Sequence, residues 1–214
     1  MADRSARDER RRALAQNFLR DRRLALELAS RAHPGELVVE FGAGRGDLTV
    51  QLARRGARVI AIESDPVWAE RLTHRLRVLG LEKAVHLLVA DMFEVTLPAA
   101  HYRVIASPPF NRVTALLHRL LDEPSTGPTS ADLIVQSEVA LKRSAAPPRT
   151  LISTAWAPWW LFRVVRRIPR ESFRPIPRTN AAWLSIVKRD PPVLPHSMAP
   201  EFAEFVRSRW DAWT

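Results

Sequence analysis

Short apolar runs alternate with helix-forming stretches between Leu37 and Gln136, and this rhythm restricts the fold more than any other feature of the chain. Leu37 to Phe41 reads as a strand, Asp47 to Arg55 as a helix with Asp47 in its first turn, and Ala57 to Ile62 as the next strand. Pro66 opens a second helix to about Leu79. Val85 to Val89 and Tyr102 to Ala106 read as strands, Arg112 to Leu121 as a helix, and Leu133 to Gln136 as a fifth strand behind the loop EPSTGPTS. A βαβ succession of this kind predicts an α/β fold with a mostly parallel sheet covered on both faces.

The flanks read differently. In QNFLRDRRLALELASRA, Phe18, Leu19, Leu24, Leu26 and Leu28 recur at helical spacing, ahead of a stop at His33-Pro34-Gly35. After Lys142, SAAPPRT is a loop. LFRVVRRI and AAWLSIV predict an antiparallel pair at the sheet edge, because the proline-rich PRESFRPIPRTN between them is too short for a crossover helix. Pro200 to Trp213 predicts one helix. The expected organisation is a basic arm over residues 1–13, one domain over 14–189 and a short tail over 190–214.

Charge narrows the partners. The 214 residues carry 33 Lys+Arg against 23 Asp+Glu, a formal charge of +10, which favours polyanions, nucleic acid foremost. The excess is regional: Met1 to Arg23 holds eight arginines and four acids, and Lys142 to Arg189 holds eleven bases and one acid, Glu171. The plain alternative is a basic enzyme with solvated arginines. No apolar run reaches the ~20 residues of a membrane span. The absence of cysteine excludes disulfides and thiolate metal sites, and the arginine-rich start lacks the apolar segment of a secretory signal. A cytoplasmic protein with no membrane association is expected. None of the six histidines has metal-ligand spacing with another, so no metal is assigned.

Chemistry gathers at the ends of the predicted strands. Gly42, Gly44 and Gly46 lie between a strand and a helix, where bare backbone admits a ligand at the carboxyl edge of the sheet; a tight turn without ligand is the alternative. Glu63 and Ser64 close the next strand, and a carboxylate there accepts both hydroxyls of a ribose. Asp91 and Met92 close the third, suited to an adenine amine and ring, although Asp91 is also placed to cap a turn. Together these ends suggest adenosine binding without distinguishing its carriers. The fourth strand ends in Ser107-Pro108-Pro109-Phe110. Methylating an aromatic amine requires acceptors that hold the amine, for which the Ser107 hydroxyl and the Pro108 carbonyl are suited, and a face on which a swung-out base stacks, for which Phe110 is suited. The alternative for Phe110 is core packing.

The blocks QNFL, VVEFGAGRGDLT, AIESD, AD, SPPF, LIVQSEVALKR and FRPIPRTNAA follow the order seen in ribosomal RNA adenine dimethyltransferases. Over about residues 14 to 189 the chain resembles the erythromycin-resistance (Erm) branch acting on 23S rRNA. The resemblance implies a Rossmann-like class I S-adenosylmethionine-dependent methyltransferase with a seven-stranded sheet and an antiparallel edge hairpin. It further implies methylation of adenine N(6) near the peptide exit tunnel, resistance to macrolides, lincosamides and streptogramin B, and a monomer acting on 23S rRNA, naked or in an assembling large-subunit particle. Gln16, Asn17 and Leu19 would close over the cofactor, the glycines would border its methionine part, Glu63 its ribose and Asp91 its adenine, with Ser107 and Phe110 at the target base.

Two departures stand out. Ser107 replaces the Asn usual in the family motif N-I-P-Y/F, and only about 25 residues follow Lys188, where longer relatives carry a helical domain. RNA contact is therefore expected from Arg10, Arg11 and Arg12 in the arm and from Arg163, Arg166, Arg167, Arg174 and Arg178. A noncatalytic RNA-binding factor on the same fold and a small-subunit rRNA dimethyltransferase are the alternative functions.

Overall fold

The computed structural model describes residues 17–213; Gln16 and the basic arm with Arg10, Arg11 and Arg12 lie outside the described residues. The chain runs through β1 (Phe18–Leu19), α1 (Arg22–Ala29), β2 (Leu37–Phe41), α2 (Thr49–Arg54), β3 (Arg58–Glu63), α3 (Pro66–Val78), β4 (Val85–Val89), β5 (Arg103–Ala106), α4 (Val113–Leu121), β6 (Ser130–Gln136), α5 (Ser137–Arg143), α6 (Leu151–Trp156), β7 (Trp160–Ile168), β8 (Phe173–Arg174), β9 (Ala181–Lys188) and α7 (Ala199–Trp213).

The main sheet has seven strands in the order β4-β3-β2-β5-β6-β9-β7. β2 pairs in parallel with β3 and β5, while β9 lies antiparallel to both β6 and β7, which makes the expected edge hairpin. Alternate residues feed opposite faces: Val38 and Ile134 join one core cluster, Val39, Leu133 and Val135 the other. Successive strands step from β2 to β3 and β4 on one side and then to β5 and β6 on the other. The reversal leaves a crevice beyond the carboxyl ends of β2 and β5, where open sheets of this kind take ligands.

Phe18 and Leu19 are not helical. Asp21 caps α1 by accepting from Arg23 N and Leu24 N at 3.0 and 3.1 Å, so the helix cannot extend back to them. Instead Phe18 pairs with Arg174 and Leu19 with Phe173 in a two-stranded ribbon. Two short helices were also not foreseen, α5 directly behind β6 and α6, whose first turn Thr150 caps by accepting from Ser153 N at 3.2 Å. Both cover the second face, where Trp159 and Trp160 are almost fully buried and donate their indole N–H groups to the carbonyls of Leu194 and Leu121 at 2.8 and 3.0 Å.

Candidate active site

Four strand ends build one cleft. β2 delivers Gly42 and Gly44, β3 delivers Glu63 and Ser64, the turn after β4 delivers Asp91 and Met92, and β5 delivers Ser107; Asn17 lines the same cleft from the segment before β1. The fold thus brings together residues far apart in sequence, Asn17 and Arg112 being 95 positions apart.

The glycine turn is locked to β3. Gly42 N and Ala43 N donate to the Ile62 carbonyl at 2.9 and 3.0 Å, and Gly44 N donates to Glu63 Oε2 at 2.7 Å. Asp65 N holds the other oxygen, Oε1, at 2.8 Å, so both carboxylate oxygens are oriented and each retains a lone pair for a further donor. Burial pushes the Glu63 carboxyl above its ordinary range, against the backbone N–H groups that favour its charge. Gly44, at φ +53°, allows Phe18 to close over the turn: a Cβ there would lie 2.9 Å from Phe18 Cε1. Phe18 in turn packs on Trp68 at a centroid distance of 4.7 Å.

Beneath this turn lies Glu40, 2% exposed on β2. Burial pushes its carboxyl up to about 8, and the neighbouring carboxylates Glu63 and Asp47 act in the same direction. Thr49 beside it opposes the shift without closing a hydrogen bond: Glu40 Oε2 and Thr49 Oγ1 are both buried and unpartnered among the described residues.

Asp91 performs the capping duty foreseen as its alternative, accepting from Phe93 N at 2.9 Å through Oδ1. Its second oxygen accepts from Arg112 Nη2 at 2.5 Å. The Phe93 amide and then the Arg112 guanidinium hold this carboxyl below the usual carboxylate range.

Ser107 Oγ is buried in the cleft wall and has no hydrogen-bond partner among the described residues. The turn behind it packs on the glycine turn, since a Cβ at Gly42 would meet Pro109 Cδ at 3.2 Å and the buried Pro108 Cα at 3.7 Å.

Several expected residues sit elsewhere. Leu19 is in the core and does not line the cleft. Gly46 does not line it either; a Cβ there would stand 2.2 Å from Leu72 Cδ1, so this glycine serves the contact between turn and α3. Phe110, 9% exposed, belongs to the core cluster and is absent from the cleft lining, as its packing alternative foresaw. Phe18, Asn111 and Arg112 line the cleft and were missed. Arg112 and Arg119 are seven apart, two helical turns, and both reach the segment after β4; that spacing was the available signal.

The predicted arginines are exposed, but they do not share one face. β7 is an edge strand, on which Arg163 pairs with Ser185 and Arg166 with Trp183, whereas Arg167 pairs with Ala182 and so projects from the opposite face. Arg166 forms an ion pair with Glu27 of α1 at 3.1 Å. Arg174 and Arg178 are exposed in the connection that follows, on the carboxyl side of the sheet. No helix among the described residues is long and apolar enough to cross a membrane.

The sheet order, the glycine turn and the cleft define a class I, Rossmann-like S-adenosylmethionine-dependent methyltransferase fold. S-adenosylmethionine is the cofactor this fold implies, and the residues fit it: backbone is bare at Gly42 and Gly44, and Glu63, Asp91 and Ser107, whose buried hydroxyl has no partner among the described residues, line the same cleft. The chain belongs to the ribosomal RNA adenine dimethylase family, which residues 7–210 match. It is 35% identical over 209 residues to an rRNA adenine N-6-methyltransferase of Aeromicrobium erythreum, covering 95% of this chain and 59% of the relative. It is 33% identical over 202 residues to the mycinamicin-resistance protein MyrB of Micromonospora griseorubida, covering 92% and 62%. The chain thus spans about three-fifths of the length of these relatives. Among solved structures, the 23S rRNA methyltransferase ErmE superposes with a TM-score of 0.78 at 26% identity, covering 89% of this chain and 78% of that one.

Proposed function

We propose that the protein methylates adenine N(6) in 23S rRNA near the peptide exit tunnel, and so confers resistance to macrolides, lincosamides and streptogramin B. The observation that carries the reading is the unpartnered Ser107 hydroxyl, buried in the cleft at the end of β5. A buried polar group without a partner is costly, and an incoming amine would satisfy it. The likeness to the Aeromicrobium methyltransferase, the Micromonospora resistance protein and ErmE supports the substrate class.

Asn17 and Phe18 cover the cofactor at the glycine turn, the oriented oxygens of Glu63 accept the ribose hydroxyls, and Asp91 with Met92 holds the adenine edge. Bound S-adenosylmethionine would supply a methyl carbon on a positively charged sulfur, which would keep the electron pair of the broken C–S bond. Ser107 Oγ accepts one N–H of the target amine and aims its lone pair at that carbon. As the N–C bond forms the amine proton passes to water, so positioning rather than a strong base supplies the rate. Stacking of the target base on Phe110 requires the ring to leave its packing in the core. The arginines of β7 and of the connection after it, together with Arg10, Arg11 and Arg12, hold the RNA backbone.

Methyl-labelled S-adenosylmethionine offered with 23S and 16S rRNA transcripts tests this. Label in N6-methylated adenosine from the 23S transcript, lost in Ser107→Ala with S-adenosylhomocysteine affinity retained, is the expected result. Label confined to the 16S transcript, or none at saturating cofactor, overturns it.

A further inference from the structure

Arg112 lies where the two halves of the cleft meet. It occupies the N-cap position of α4, directly behind the Ser107–Phe110 turn, and its guanidinium reaches back to Asp91 just after β4 and lies over the Phe93 ring at 4.7 Å from the centroid. One turn-capping bond, from Phe93 N to Oδ1, leaves the Asp91 carboxylate free to pivot, since rotation about its last torsion is soft. The second bond, from Arg112 to Oδ2, removes that freedom. The guanidinium is itself held flat by the aromatic face beneath it. Two turns further along α4, Arg119 donates to the carbonyls of Phe93 and Val95 and clamps the rest of the same segment. The two arginines differ in one respect: Arg119 bonds only backbone, whereas Arg112 bonds the carboxylate and itself lines the cleft.

We propose that Arg112 is a positioning residue that orients Asp91 as an acceptor-only group at the base edge of the cofactor cleft, and thereby sets its preference for 6-amino over 6-oxo purines. The inference rests on the reading of Asp91 as the adenine contact. An oriented carboxylate accepts from an exocyclic amine and repels a carbonyl oxygen in the same place. A carboxylate free to rotate could turn away from either, so the preference would fall.

Calorimetric titration of S-adenosylhomocysteine and of its 6-oxo counterpart S-inosylhomocysteine measures this without catalysis. Wild type should prefer the adenosyl ligand. Arg112→Met keeps the stem over Phe93 and loses the charge; it should bind the adenosyl ligand roughly tenfold more weakly while the inosyl affinity stays within about twofold. Arg112→Lys should recover part of the preference. Arg119→Met should lower the melting temperature and leave the preference intact. An unchanged preference in Arg112→Met, a gain in adenosyl affinity that would mark Arg112 as an obstruction, or an equal loss in Arg119→Met would each overturn the proposal. Wild-type preference that survives Asp91→Asn would instead defeat the underlying assignment of Asp91.

Discussion

The ring of Phe110 meets the ring of Phe173 edge-on, with centroids 5.7 Å apart and planes inclined at 71°. This contact joins the turn that presents Ser107 to the ribbon in which Phe173 pairs with Leu19 and Arg174 with Phe18. Phe18, which lines the cleft from the ribbon, and the turn that carries Ser107 are therefore braced by the same pair of rings.

Phe110→Ala should destabilise the fold by about 3–5 kcal/mol, because it empties a buried aromatic site. Phe110→Leu should retain most of the stability and still lose methyl transfer, with S-adenosylhomocysteine affinity little changed. Chemical denaturation and single-turnover transfer read the two effects separately. Full activity in Phe110→Leu would exclude a stacking role for the ring.

Gly44 and Gly46 should respond differently to alanine. A Cβ at Gly44 displaces the partly buried Phe18, so cofactor affinity should fall more than stability. Gly46 sits at φ +77° and a Cβ there drives into Leu72, a fully buried residue of α3, so stability should fall by about 1–3 kcal/mol. Thermal melts beside ligand titrations distinguish the outcomes; equal loss of binding in both variants would contradict the division.

Glu40 gives the fold a pH dependence. Below its ordinary value of 4.5 the carboxyl is protonated in folded and unfolded chains alike. Between there and about 8 the unfolded chain releases the proton while the folded chain retains it, so stability falls as pH rises, and levels off above the folded value. Glu40→Gln should flatten this fall and raise the melting temperature at pH 8 by several degrees. Melting curves from pH 5 to 9 provide the measurement, and identical profiles for both proteins would refute the claim.

RNA affinity should decline steeply with salt, and the arginines should contribute unequally. β7 runs parallel to β6, so its carboxyl end and the connection after it lie at the edge where the cleft opens. Arg174→Ala and Arg178→Ala should each reduce the salt slope by about 0.7–0.9. Arg163→Ala, nearer the other end of the strand, should change it less, as should Arg166→Ala, whose charge is already paired with Glu27. Binding titrations over a range of KCl concentrations test the order. Removal of residues 1–12 should also flatten the slope.

Much of this architecture was legible because it is written in local patterns. The strands Leu37–Phe41 and Val85–Val89 match the reading to the residue, and α3 begins at Pro66 as read, since Asp65 caps it through Val67 N at 2.9 Å. Glycine between strand and helix, and an acid at each of two strand ends, announced the cleft for the same reason: backbone geometry and strand direction place such residues at one edge of a parallel sheet. Phe18 and Leu19 were misread because their apolar spacing also suits a helix, and their actual partners, Arg174 and Phe173, are more than 150 positions away.

From the sequence alone came the α/β succession, the edge hairpin and the residues Gly42, Gly44, Glu63, Asp91 and Ser107 at one site. Only tertiary packing decided that Gly46 serves Leu72, that Phe110 turns toward Phe173, and that Arg112 holds Asp91. Short-range backbone preferences act within a few residues and can be read in order along the chain. The direction in which a ring or a guanidinium points depends on which distant surface is left to receive it, and that surface exists only once the sheet has closed around its two cores.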